Sequence, residues 1–253
     1  MIDLETLERI ARTEQTSVFP NIVREYSQHV FLTELYRLPE SEHMLFKGGT
    51  ALRIVYGSPR FSEDLDFSLF SVPAGANQQF VEGLFVSVLA EIERVGIHIE
   101  IGNKSAVTSG GYFGIATLNI AGYPPVAIEL NISSRTRADE RVEVDSITNN
   151  FVPTYTLYHL PQQEIVEEKV FGALRERKKP RDYYDLYFLM RKNMLSVDQK
   201  HRLAVIAREI VEEARKVDFR GELGMFLPAS QQAIIRDFAK TLEREMQNQL
   251  SLV

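Results

Sequence analysis

Apolar residues recur at helical spacing over the first part of the chain. Leu4, Leu7, Ile10 and Ala11 share one face, and after a break near Phe19-Pro20 a second run follows with Ile22, Val23, Tyr26, Val30, Leu32 and Leu35. Residues 3 to 38 therefore read as helices. A short apolar stretch, Met44-Leu45-Phe46, leads into Lys47-Gly48-Gly49-Thr50. Ala51, Leu52, Ile54 and Val55 then predict a short helix from Thr50 to Tyr56, ended by Gly57-Ser58-Pro59. From there the period changes. Leu65, Phe67 and Leu69 alternate with Asp64, Asp66 and Ser68, the signature of a strand. Phe80, Leu84, Val88, Ile92 and Val95 make residues 78 to 95 an amphipathic helix, stopped by Gly96. Strand-like runs follow at 97–101, 112–120 and 126–132, separated by turn signals at Ser109-Gly110-Gly111 and Gly122-Tyr123-Pro124-Pro125. From Pro161 onward the pattern is helical, with breaks near Pro180, Asn193 and residues 219–228.

This order of elements predicts an α+β fold, a mixed sheet flanked by helices, with a helical C-terminal part. The composition shifts near residues 155–161 without a flexible linker. We expect an α+β domain over residues 1–158 with N-terminal helices, and a helical domain over 159–253 that completes the active-site cleft.

Composition narrows the function classes. The 253 residues are 44% hydrophobic, enough for a sizeable core, and contain no run of eighteen or more apolar residues, so no membrane span is expected. The first residues, Met1-Ile2-Asp3-Leu4-Glu5, lack the basic-then-apolar order of a secretory signal, and cysteine is absent, which fits a cytoplasmic protein. A net charge of -6 argues against a protein that coats nucleic acid non-specifically, but leaves room for a local basic patch.

Four clusters carry candidate chemistry. Gly48 and Gly49 let a backbone approach a bulky anion, and Thr50 adds a hydroxyl at a helix start; such glycine pairs also occur in plain turns. Asp64 and Asp66 sit two apart on a strand, so both carboxylates point one way. Two such charges call for a cation or a shared proton, and magnesium is the natural occupant. Alternatively, both acids face solvent on an edge strand. Glu129 is either the third ligand or an ordinary polar position on a half-exposed strand: Val126, Ile128, Leu130 and Ile132 take one face and leave Glu129 and Asn131 on the other. Finally, Lys169 emerges beside an apolar stripe, and residues 175–181 carry five bases and one acid. That run serves either as a solvated helix end or as a landing strip for a triphosphate or an RNA backbone. Asp182 follows Pro180, where a helix start is expected, and is either an N-terminal helix charge or part of the chemistry. The histidines show no metal-ligand spacing.

Gly-Gly-Thr followed fourteen residues later by Asp-x-Asp (Thr50 to Asp64) resembles the signature of the polymerase β-like nucleotidyltransferases. With Phe46 to Leu52, Arg60 to Phe67, and Glu168-Lys169 through Arg181-Asp182-Tyr183-Tyr184-Asp185-Leu186, the chain resembles the AbiEii family. These are nucleotidyltransferase toxins of abortive-infection and type IV toxin–antitoxin systems, related to the MenT toxins. The resemblance implies that Gly48, Gly49 and Thr50 hold phosphate, that Asp64 and Asp66 bind Mg2+, and that Lys169 contacts the nucleotide. It places Asp182 among the catalytic residues; Arg60 and Asp185 match family positions without a clear role. It further implies transfer of a nucleoside monophosphate from a nucleoside triphosphate to the tRNA 3′ end, growth arrest, and a cognate antitoxin. The alternatives are a protein or small-molecule acceptor, or a non-catalytic nucleoside triphosphate sensor.

Overall fold

The computed structural model describes residues 2–102, 106–108, 111–134 and 141–250. Their contacts form two units: residues 1–57 with 61–160, and residues 58–60 with 161–253.

The first unit is built on a mixed sheet of β1 (Met44–Lys47), β2 (Leu65–Leu69), β3 (His98–Ile101), β4 (Ala106–Thr108), β5 (Gly111–Asn119), β6 (Val126–Ser133), β7 (Glu143–Ile147) and β8 (Tyr155–His159). The order is β3-β5-β6-β2-β1-β8-β7, with β4 also pairing β5. β2 runs parallel to β6 and antiparallel to β1, and β1 is parallel to β8. The helices are α1 (Leu4–Thr13), α2 (Val23–Leu35), α3 (Gly48–Ile54) and α4 (Asn77–Arg94). α2 packs on α4, β6 and β8, and α4 packs on β3 and β5.

The alternation of the strands explains this layering. Val126, Ile128, Leu130 and Ile132 of β6 are buried, whereas Ala127 and Glu129 are exposed. Leu65 and Phe67 of β2 are likewise buried, which leaves Asp66 on the opposite face. Burial of each such large side chain contributes about 1.5–3 kcal/mol. α2 differs from an ordinary amphipathic helix, because Ser27, Gln28, His29, Thr33 and Glu34 are buried along with its apolar residues. Ser27, Gln28, His29 and Glu34 offset the cost of that burial with hydrogen bonds to partners in the fold.

Two strands, β7 and β8, lie outside the runs that the sequence pattern marks. β7 is a sheet edge whose residues are exposed except Ile147, so no alternation marks it. β8 does alternate, burying Tyr155, Leu157 and His159, but it is short and rich in polar groups. The turn signal at Ser109-Gly110 lies outside the described residues; beside it, Thr108 of β4 pairs with Gly111 of β5.

In the second unit, α5 (Gln162–Val166) continues into a π-helical segment, Glu167–Ala173, and then α6 (Leu174–Arg177). Lys178 adopts a left-handed conformation that ends α6, and Pro180 starts α7 (Pro180–Arg191). α8 (Val197–Ala214), α9 (Phe219–Phe226) and α10 (Phe238–Leu250) complete the described part. The stretch expected as a break at 219–228 is largely helical. Asp218 caps α9, and burial of Phe219, Leu223 and Phe226 on one face outweighs the cost of Gly221 and Gly224. Phe219 packs 4.6 Å from Phe238, which stacks on Tyr184. No helix among the described residues is long and apolar enough to cross a membrane.

His29 offers a test of the first unit's core. Its Nδ1 lies 2.9 Å from the Tyr155 hydroxyl, and its ring packs on Phe151. Burial, reinforced by the charge of Arg53, lowers the imidazole pKa from 6.5 to about 3. Between those values the unfolded chain binds a proton that the folded chain does not, so stability falls as pH is lowered through this window. Denaturant unfolding should show a loss of about 2 kcal/mol between pH 7 and pH 5. His29→Gln should flatten that slope.

Candidate active site

Gly48 and Asp66 meet in the first unit. Gly48 has φ +82°, a left-handed conformation, and a Cβ added there would overlap the Asp66 carboxylate. Lys47, Asp66 and Asn131 form a row across β1, β2 and β6: Lys47 pairs with Asp66, and Asp66 pairs with Asn131. The Asn131 amide donates to Asp66 Oδ1 at 3.2 Å. Asp64 precedes β2 by one residue, so Asp66 lies within the strand pairing while Asp64 lies just outside it. Both aspartates are half-buried.

Thr50 takes a different position from the one its motif suggests. It is fully buried in α3, and its hydroxyl donates to the backbone carbonyl of Asp64. Gly49 is buried as well. Glu129 is exposed on β6, two residues from Asn131 and on the same face. Among the described residues, no group of three or more His, Cys, Asp or Glu side chains is arranged to hold a metal ion. Asn131 is the residue that meets Asp66, and its place beside Glu129 on the polar face of β6 was the sequence signal for it.

Lys169 sits in the π-helical segment of the second unit, an irregularity frequent at functional sites. Its Nζ donates to Asp185 Oδ2 at 2.9 Å. Arg60 grips the same carboxylate with two parallel bonds, Nε to Oδ1 at 2.9 Å and Nη2 to Oδ2 at 3.1 Å. Arg60 is 3% exposed and Asp185 1%. Burial pushes the Asp185 carboxyl up, but the charges of Arg60 and Lys169 and their hydrogen bonds outweigh it and hold the pKa below the usual aspartate value. Asp185 thus serves both cations at once.

Asp182 is buried and works at the start of α7. It accepts from the Lys179 backbone N–H at 3.1 Å and from Arg177 at 2.6 Å. The basic run is largely neutralised within the second unit: Arg177 pairs with Asp182, Lys178 with Glu213 at 3.6 Å and Arg181 with Glu222 at 3.5 Å. Arg175 and Lys179 remain exposed.

A family model described as nucleotidyl transferase AbiEii toxin, type IV toxin–antitoxin system, matches residues 30–251. Two solved structures share the fold. A candidate nucleotidyltransferase from Helicobacter pylori is 21% identical with a TM-score of 0.59, the match covering 91% of this chain and 97% of that one. JHP933 from Helicobacter pylori is also 21% identical with a TM-score of 0.59, covering 94% of this chain and 97% of that one. No curated protein matches the chain significantly.

Gly48→Ala should expose the dependence of Asp66 on the glycine. The methyl group displaces the carboxylate, so nucleotidyl transfer should fall about 100-fold or more while the far-UV spectrum is retained. Steady-state rates alongside circular dichroism check this.

Proposed function

The chain belongs to the AbiEii family of nucleotidyl transferase toxins of type IV toxin–antitoxin systems, and on that premise we propose that Asp64 and Asp66 form the reacting centre for transfer of a nucleoside monophosphate to an RNA acceptor, the tRNA 3′ end. The observation that carries the proposal is the seating of the Asp66 carboxylate against Gly48, which joins the two motifs in one place.

The donor set fits magnesium. Two carboxylates supply hard oxygen ligands, the number such an ion commonly takes from protein while phosphate oxygens and water fill its remaining positions. When bound, the ion would neutralise charge on the attacking and leaving oxygens. Glu129 remains a proposed further ligand, exposed on the polar face of β6.

In the reaction, an acceptor hydroxyl attacks the α-phosphorus, forming a phosphodiester while the α–β anhydride bond breaks. The hydroxyl proton passes to solvent and pyrophosphate departs. Gly48 and Gly49 keep the approach open for phosphate. Asn131 orients Asp66, and Lys47 adds a cation in register with it. Lys169, held by Asp185, is the cation assigned to the nucleotide phosphates, and Asp182 supports it by fixing the start of α7.

Charge distribution supports a nucleic acid acceptor. The second unit carries 18 Lys and Arg against 15 Asp and Glu, net +3, whereas the first carries 11 against 20, net -9. A basic unit attached to an acidic one favours an anionic polymer at the former. The toxin acts in the cytoplasm, and growth arrest follows from blocked tRNA, relieved by a cognate antitoxin.

Purified protein incubated with Mg2+, each labelled nucleoside triphosphate in turn, and either total RNA or total protein should label RNA in the size range of tRNA. Asp64→Ala and Asp66→Ala should each lower the signal by at least about 1000-fold with folding intact. Labelled protein in place of RNA overturns the acceptor. Undiminished labelling by the double variant overturns the centre.

A further inference from the structure

Gln28 lies in the middle of α2, 2% exposed, and its side-chain amide nitrogen is 3.1 Å from the carbonyl oxygen of Ser62 and 3.1 Å from that of Glu63. The next carbonyl along the chain, that of Asp64, receives the Thr50 hydroxyl. Three successive carbonyls leading into Asp-x-Asp are thus each bound by a buried side chain from a helix. Arg24, one turn earlier on α2, adds an ion pair to Glu63 at 3.2 Å.

This arrangement answers a need that the sheet leaves open. Strand pairing of β2 with β1 and β6 begins at Leu65 and Asp66, so it fixes Asp66 but stops short of Asp64. A glutamine amide has two N–H donors and can serve two carbonyls at once. Together with Thr50 it fixes consecutive peptide planes and therefore the direction in which the Asp64 Cα–Cβ bond leaves the backbone. Two carboxylates share a cation only if both directions are set, since their mutual repulsion otherwise turns the looser one away.

The geometry points to Gln28 and Thr50 as positioning residues for Asp64: they act on the metal pair through the backbone and touch neither phosphate nor acceptor. The inference rests on the reading of Asp64 and Asp66 as metal ligands, and it gives the Thr50 hydroxyl a task other than phosphate binding. It also assigns a role to the first unit's N-terminal helices, which contribute no motif residue.

The test compares Gln28→Leu, which keeps the size and removes the donors, with Thr50→Val, which loses the hydroxyl, and Thr50→Ser, which retains it. Mn2+ binding without nucleotide, followed by electron paramagnetic resonance, gives a readout separate from turnover; kcat and KM for the nucleoside triphosphate give the second. Gln28→Leu and Thr50→Val should bind Mn2+ at least about tenfold more weakly and lose about 10- to 100-fold in kcat, with KM changed by less than about twofold. Thr50→Ser should restore both. Wild-type Mn2+ affinity and kcat in Gln28→Leu and Thr50→Val overturn the positioning role. If Gln28→Leu does not fold, the contrast between Thr50→Val and Thr50→Ser decides. Asp64→Ala separates the two levels: Mn2+ binding unchanged in that variant overturns the metal-pair reading itself. Weakened binding there, with none in Gln28→Leu or Thr50→Val, overturns only the positioning.

Discussion

The Asp66 carboxylate occupies the space that a Cβ on residue 48 would fill, and the surrounding contacts of the first unit fix both Asp66 and the backbone of Asp64. The alternation of β2 buries Leu65 and Phe67 and turns Asp66 to the polar face. Gly48 leaves room for the carboxylate because it has no Cβ, and Asn131 supplies a donor from the neighbouring strand. Asp64, beyond the end of the ladder, is held through its own carbonyl and the two before it. The apolar layer of α2, α4 and the sheet gives these contacts a rigid support.

The second unit holds a charge cluster of its own. Arg60 and Lys169 are two cations in low-dielectric surroundings, and Asp185 between them makes their burial tolerable. The Lys169 side chain keeps a small exposure, whereas Arg60 and Asp185 are buried. A π-helical segment presents that lysine, which a regular helix would direct elsewhere. The nearby bases mostly have acids as neighbours, so the unit's net charge of +3 arises from dispersed cations, Arg175 and Lys179 among them, more than from one bare strip.

Much of this was legible in the sequence, and the exceptions have physical causes. The α+β fold, the helical second part and the strand through Leu65, Phe67 and Leu69 follow from period alone, because burial on one face imposes the period. β7 escaped because an exposed edge strand has no buried face to pattern. α9 escaped because packing of its phenylalanines overrode two glycines. Gly48 and Asp66 were marked by residue type, since few residues tolerate a left-handed turn against a carboxylate. Thr50 was marked too, but its inward-facing hydroxyl depends on a carbonyl fourteen residues away in the chain. Gln28 carried no signal: a polar residue inside a helix reads as a solvent-facing position, and only the fold shows it buried against the loop. Arg60 and Asp185, 125 residues apart, could be recognised as a pair only once the chain was folded.

The proposed Asp64–Asp66 centre commits the chain to attack at the α-phosphorus. Turnover with a nucleoside triphosphate labelled at the α-phosphate, run beside one labelled at the γ-phosphate, distinguishes this from attack elsewhere. The α label should enter the acceptor while the γ label leaves as pyrophosphate in equal molar amount. Entry of the γ label into the acceptor would make the chain a kinase and contradict attack at the α-phosphorus.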